Sequence, residues 1–95
     1  MSKYMLISVC ERNISTQQFD SFDDARKQMM KELEDEVVEA DYDEFYDKYG
    51  NKLTWDDIKD LRKFDGDWEL GIYESYAWFN VWEDSKMDWE IVEIQ

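Results

Sequence analysis

SFDDARKQMMKELEDEVVEA, residues 21–40, is the stretch on which the fold turns. Ser21 suits an N-cap, and Asp24, three residues on, can complete a capping box. Phe22, Ala25, Met29, Leu33 and Val37 then recur at spacings of three and four. They form one apolar stripe, so this is an amphipathic helix that must pack on another layer. The segments on either side say what that layer is.

Ahead of the helix, residues 3–10 form a strand with Met5, Ile7 and Val9 on one side and Tyr4 and Leu6 on the other, a pattern expected of a strand covered on both faces. A polar turn at 11–13 lets residues 14–19 return antiparallel to it. Beyond the helix, Tyr42, Phe45, Tyr46 and Tyr49 are again spaced by three and four, which predicts a short second helix over 41–49, ended by Gly50-Asn51. Thr54 offers a further N-cap with Asp57 three residues later. Trp55, Ile58 and Leu61 make the inner edge of a third helix that stops near Phe64. After a turn at 65–67 the period changes to two. Trp68, Leu70 and Ile72 alternate; Ala77, Phe79 and Val81 alternate against Tyr76, Trp78 and Trp82; and residues 87–94 place Trp89 and Ile91 on one face of a last strand.

The order is a β-hairpin, two or three helices, then a three-stranded meander. It predicts an α+β fold with an antiparallel sheet of about five strands and the helices on one face, as a single domain over residues 1–95. The strand over 76–82 is apolar on both faces, and helices in so short a chain cover only one. Either the loop over 41–52 packs on the second face, or Tyr76, Trp78 and Trp82 form a second candidate interface, which makes a homodimer one of the expected states.

Composition narrows function. Hydrophobic residues make up 43% of the chain and aromatics 17%, enough for a core despite a formal net charge of −14. A molecule in that negative field is pushed away from DNA, RNA and anionic membrane, and attracts basic protein surfaces. The apolar run Tyr4 to Cys10 is too short for a secretory leader, no stretch reaches membrane-spanning length, and the single cysteine forms no internal disulfide, so a cytoplasmic location is expected.

Catalytic chemistry is poorly supplied. The chain has no histidine, so the commonest general base and zinc ligand are missing; its three glycines are isolated, which excludes a phosphate-cradling loop. Asp41, Asp43, Glu44 and Asp47 carry oxygen ligands, but an EF-hand would want Asp or Asn at 45 and glycine at 46, where Phe45 and Tyr46 stand. Asp84-Ser85-Lys86 matches the acid-x-Lys element of metal-dependent nucleases no better than Asp57-Ile58-Lys59 does. The expectation is therefore a protein without enzymatic activity, metal or cofactor.

What departs from the needs of folding is the acidity of residues 32–47. Nine of these sixteen residues are acidic, namely Glu32, Glu34, Asp35, Glu36, Glu39, Asp41, Asp43, Glu44 and Asp47, and none is basic. Five of them crowd the last turns of the helix, where the macrodipole is already negative, and Glu32/Asp35, Glu32/Glu36, Asp35/Glu39 and Glu36/Glu39 are like-charged neighbours. The arrangement costs on the order of 1–2 kcal/mol at low salt, and departures of this kind tend to mark functional sites. A solvated face that keeps the protein soluble is the plain alternative.

Charge density makes the comparison concrete. Duplex DNA carries about one charge per ~1.7 Å, and the helical acids 32–39 at ~1.5 Å per residue give about one per ~2 Å. In size, acidity and lack of catalytic groups the chain resembles the small phage-encoded inhibitors of host defence, among them anti-CRISPR and anti-restriction DNA mimics. This is a resemblance of class, and it transfers no individual residue. It implies a binding protein that inhibits a nucleic-acid-binding partner or nuclease complex; the chain's own charge pattern puts the acids of 32–47 at that contact, with Tyr42 and Tyr46 as anchors beside them. An immunity protein neutralising a basic toxin nuclease, and a non-enzymatic homo-oligomer, are the competing expectations.

Overall fold

The computed structural model describes residues 3–10, 13–41, 44–67, 69–82 and 85–94. Lys3–Cys10 (β1) and Asn13–Phe19 (β2) form the opening hairpin, and Phe22–Glu39 (α1) follows. Glu44–Tyr46 (β3), Lys52–Thr54 (β4) and the single turn Trp55–Ile58 (α2) lead to the meander of Leu70–Ile72 (β5), Tyr76–Trp82 (β6) and Ser85–Ile94 (β7). The five long-range strands make one antiparallel sheet in the order β2-β1-β7-β6-β5, so the last strand inserts beside the first and ties the two ends of the chain together.

α1 lies on one face of this sheet. Ser21 caps it, its Oγ accepting the Asp24 N–H at 3.1 Å. Ala25, Met29, Leu33 and Val37, one per turn, are fully buried. Against them the sheet turns Leu6, Ile91, Trp89, Ala77, Phe79, Leu70 and Ile72, which register pairs such as Leu6↔Ile91, Ala77↔Trp89 and Leu70↔Phe79 bring onto one face. The alternate residues Met5, Ile7, Val9, Val92, Tyr76 and Trp78 lie on the face away from α1 and are half-buried. β1 is therefore covered on one face, where its apolar parity predicted two.

Two predicted helices are corrected. Residues 44–46 are a strand in a small second sheet, paired Glu44↔Thr54, Phe45↔Leu53 and Tyr46↔Lys52. Turn chemistry overrides the aromatic spacing. Asp47 accepts the Gly50 N–H on its carbonyl at 3.1 Å, Gly50 takes a left-handed φ of 84°, and the Asp47 side chain accepts the N–H groups of Tyr49 and Asn51. Aspartate first and left-handed glycine last make the three-residue hairpin loop of a type I turn with a bulge. Of the supposed stripe only Phe45 is buried, while Tyr46 and Tyr49 stay exposed and Tyr42 lies outside the described residues.

The helix begun at Thr54 has its reciprocal capping box with Asp57 but ends at Ile58 instead of near Phe64. Leu61 is exposed, and Phe64 leaves to exchange backbone hydrogen bonds with Ile72 at 2.7 and 2.9 Å, which covers the outer edge of β5. Arg26 holds the departing chain, its guanidinium donating to the Glu74 carbonyl at 3.1 Å and, more weakly at 3.4–3.5 Å, to those of Tyr73, Arg62 and Leu61. The β3–β4 unit sits beside α1: the Trp55 indole donates to Glu34 at 2.9 Å, and its ring is 6.3 Å from that of Phe45. The described residues 44–52 thus do not cover the second face of the sheet.

Candidate functional site: the acidic flank of the long helix

At 3.6 residues per turn, Glu32, Asp35, Glu36 and Glu39 fall within an arc of about 100° on one side of the buried stripe. That flank overhangs the β1–β2 hairpin. Between them runs a cleft of about 190 Å³ whose walls include Glu32, Asp35 and Glu36 from α1 and Ser8, Asn13 and Ser15 from the sheet. Its carboxylates differ in what they do.

Glu32 is turned inward. Its Oε1 accepts the Ser8 hydroxyl at 2.9 Å and the Trp89 indole at 3.2 Å, and its Oε2 accepts Gln17 at 2.9 Å and Gln28 at 3.0 Å. Both oxygens are taken by neutral donors, so Glu32 clasps the helix to the sheet. Glu34 lies on the opposite flank and is held by Trp55. Asp35 and Glu39 are exposed. Glu36 is half-buried, and burial followed by the charges of Glu39, Asp35 and Glu32 pushes its carboxyl above the ordinary carboxylate value. No basic residue stands in the last turn, and among the described residues none of these five acids enters an ion pair.

The chain leaves the helix through Asp41, whose φ of 59° is left-handed and whose N–H reaches the Val38 carbonyl at 3.1 Å. This position is usually filled by glycine or asparagine; most side chains there cost roughly 1–2 kcal/mol, and aspartate, which tolerates it better, costs less. Asp41 therefore adds backbone strain to the electrostatic cost of the preceding acids. Its left-handed conformation carries no signal in a single sequence beyond the helix ending there.

The remaining predicted acids divide. Glu44 is paired with Lys52 at 2.7 Å, and Asp47 spends both oxygens on its own turn, where hydrogen bonds from Asn51 hold its carboxyl below the usual range. Tyr46 is exposed on β3, and Tyr42 and Asp43 lie outside the described residues. The unencumbered acids are thus Asp35, Glu36, Glu39 and Asp41. Tyr76 and Trp78 stand on the opposite face of the sheet from this flank. Trp82 belongs to β6 by its backbone, with its side chain outside the described residues.

The other flank of α1 gathers basic residues, a feature the acid count concealed. Lys27 and Lys31, one turn apart, border a groove of about 490 Å³ and its extension, together with Arg26, Lys59 and Arg62. Five of the eleven basic residues gather here, interleaved with Asp23, Glu34 and Asp60, so this flank is mixed in charge where the 32–39 flank is acidic. Lys59 and Arg62 are paired with Asp56 and Glu74, whereas no acid of the acidic flank enters an ion pair among the described residues.

Among the described residues, no three carboxylate or thiol groups converge as ligands for a metal ion. No described helix is long and apolar enough to cross a membrane. What the acidic flank offers chemically is a row of hydrogen-bond acceptors and negative charge directed at a cationic surface. No protein-family model matches the chain, and no curated protein or solved structure is significantly similar to it.

Proposed function

We propose that this chain is a non-catalytic acidic binding protein that inhibits a nucleic-acid-handling partner. It would lay Asp35, Glu36, Glu39 and Asp41 into a Lys/Arg-lined groove that otherwise takes phosphates, the manner of action of anti-CRISPR and other DNA-mimic inhibitors. One observation carries the reading: these four carboxylates crowd the negative end of α1, where no basic residue stands in the last turn and none of them enters an ion pair among the described residues, one of them partly desolvated and one on a left-handed backbone. Three acids over residues 35–39, at ~1.5 Å per residue, keep about one charge per 2–3 Å, still comparable with a phosphate row. A basic groove would relieve the repulsion on binding, so the cost paid in the free protein returns as affinity.

The test reverses three charges, Asp35→Lys, Glu36→Lys and Glu39→Lys, in one variant. Wild-type and variant proteins are immobilised and exposed to host lysate at two salt concentrations, and captured complexes are assayed for nucleic-acid binding with and without added protein. The expected result is a nucleic-acid-binding complex retained by the wild type at low salt, inhibited by it, and lost by the variant. Retention by the variant with unchanged salt dependence would leave the acids as a solubility device.

A further inference from the structure

β2 closes the sheet on one side, and among the described residues no strand or isolated bridge pairs with its outer edge. It is seven residues long, Asn13-Ile-Ser-Thr-Gln-Gln-Phe19, and exposed at all but the last. In a chain that is 38% charged it carries no charge, proline or glycine, and its register with β1 runs unbroken from Tyr4↔Phe19 to Cys10↔Asn13. Edges this long are usually blunted by lysine, proline or a bulge, because a row of unpaired backbone groups templates another strand. The opposite edge is treated differently: β5 has three residues and is covered by Phe64.

The surroundings of the edge specify an occupant. Asn13 and Ser15 share their cleft with Asp35 and Glu36, so the acidic flank of α1 stands over the hairpin on the helix side. A strand added outside β2 would carry alternate side chains on that side, about 6.6 Å apart, close to the ~6 Å axial rise from Asp35 to Glu39. A second copy of this chain brings the same net charge of −14, and its own β2, laid along this edge, carries no cation to answer the acids.

We infer that the outer edge of β2 accepts an extended, Lys/Arg-bearing segment of the partner as a sixth strand, its backbone pairing with Asn13–Phe19 and its alternate cations meeting Asp35, Glu36 and Glu39. The inference rests on the acidic reading proposed above and adds the form in which the partner presents its charge. Backbone pairing supplies affinity, and the alternation of cations supplies selectivity.

The test uses an end-blocked eight-residue peptide of alternating lysine and threonine, and a control of the same composition with four lysines followed by four threonines. Each is added to the full chain at low and high salt while backbone amide exchange is followed by NMR. The expected result is about tenfold slower exchange at alternate amides of Asn13–Phe19 with the alternating peptide at low salt, less with the control, and none in the Asp35→Lys/Glu36→Lys variant. If the peptide binds in a salt-dependent way and perturbs Asp35, Glu36 and Glu39 while β2 exchange stays unchanged, strand addition is overturned and the acidic reading stands. β2 protection that rises with protein concentration in the absence of peptide makes the occupant a second copy and also overturns it. No binding of either peptide at low salt removes the acidic reading and this inference together.

Discussion

The indole N–H of Trp89 on β7 reaches Oε1 of Glu32 on α1 at 3.2 Å, and Ser8 on β1 shares that oxygen. With Gln17 and Gln28 on the other oxygen, one carboxylate joins the helix to three strands through neutral donors alone. Its charge belongs to the acidic flank, but its oxygens belong to the fold.

Glu32→Ala is therefore expected to behave as a stability mutation. It strands four donors, two of them part-buried side chains on the sheet, and should cost about 1–3 kcal/mol in urea unfolding. Glu32→Gln keeps one acceptor oxygen and should recover part of that loss. Partner binding by the folded Glu32→Gln protein should stay within a few-fold of wild type. A tenfold loss of binding without loss of stability would place Glu32 in the interface instead.

Asp41→Gly should raise stability. It removes a left-handed side chain that costs up to about 1 kcal/mol for aspartate and an acid at the negative helix end that costs a few tenths more. The same substitution deletes one of the four free carboxylates, so affinity for the basic partner should fall as stability rises. Opposite movement of the two quantities, by thermal unfolding and by titration, is the expected signature; parallel movement would mark Asp41 as structural.

Glu36 sets a dependence on pH whose sign can be worked out. Its folded carboxyl is raised above its ordinary 4.5 by burial and then by Glu39, Asp35 and Glu32, so the folded state binds its proton more readily than the unfolded chain. The Glu36 charge thus destabilises the fold above that raised value, and the penalty fades as pH falls through it. Glu36→Gln should be more stable than wild type at neutral pH, by a few tenths to about 1 kcal/mol, with the difference vanishing on acidification. Asp47 and Asp57 act in the opposite sense: their carboxyls are held low by hydrogen bonds to Asn51 and Thr54, so their contribution is present at neutral pH and lost as pH falls through their depressed values. Denaturant midpoints of wild type and Glu36→Gln between pH 4 and 7 check the crossover.

Where the chain's local signals agreed, its sequence could be read through to the fold. Ser21 is the observed N-cap, and the four-residue spacing of Ala25, Met29, Leu33 and Val37 and the period of two in Ala77/Phe79 and Trp89/Ile91 match what is buried. Residues 41–64 resisted because Tyr42, Phe45, Tyr46 and Tyr49 imitate a helical stripe, while the decisive information lay in the Asp47 side chain and in a left-handed Gly50. The crowding of acids was legible from spacing, whereas the gathering of Lys27 and Lys31 with Lys59 and Arg62 emerges only from the tertiary fold. That Glu32, Glu44 and Asp47 spend their oxygens internally was not legible either, because Ser8, Gln17 and Trp89 reach Glu32 only through the tertiary fold.

The open face of the sheet supplies the last prediction. Gly71 pairs with Trp78 across β5 and β6, and a Cβ at Gly71 would stand 2.3 Å from the Trp78 indole nitrogen, so the ring lies down over the glycine backbone. Beside it the Tyr76 hydroxyl donates to Asp88 at 2.6 Å, and burial together with that bond pushes the phenol up to about 12. Both aromatics are thus committed within their own sheet, and Asp88 and Glu90 add charge to the surface they occupy. On these grounds light scattering should give the mass of a single 11.7 kDa chain at micromolar concentration. Gly71→Val should lift the indole into solvent, red-shifting tryptophan emission and costing roughly 1–3 kcal/mol as an overpacked site, while Tyr76 remains among the last tyrosines to ionise. A dimer whose dissociation follows Gly71→Val would instead assign the Trp78 face to self-association.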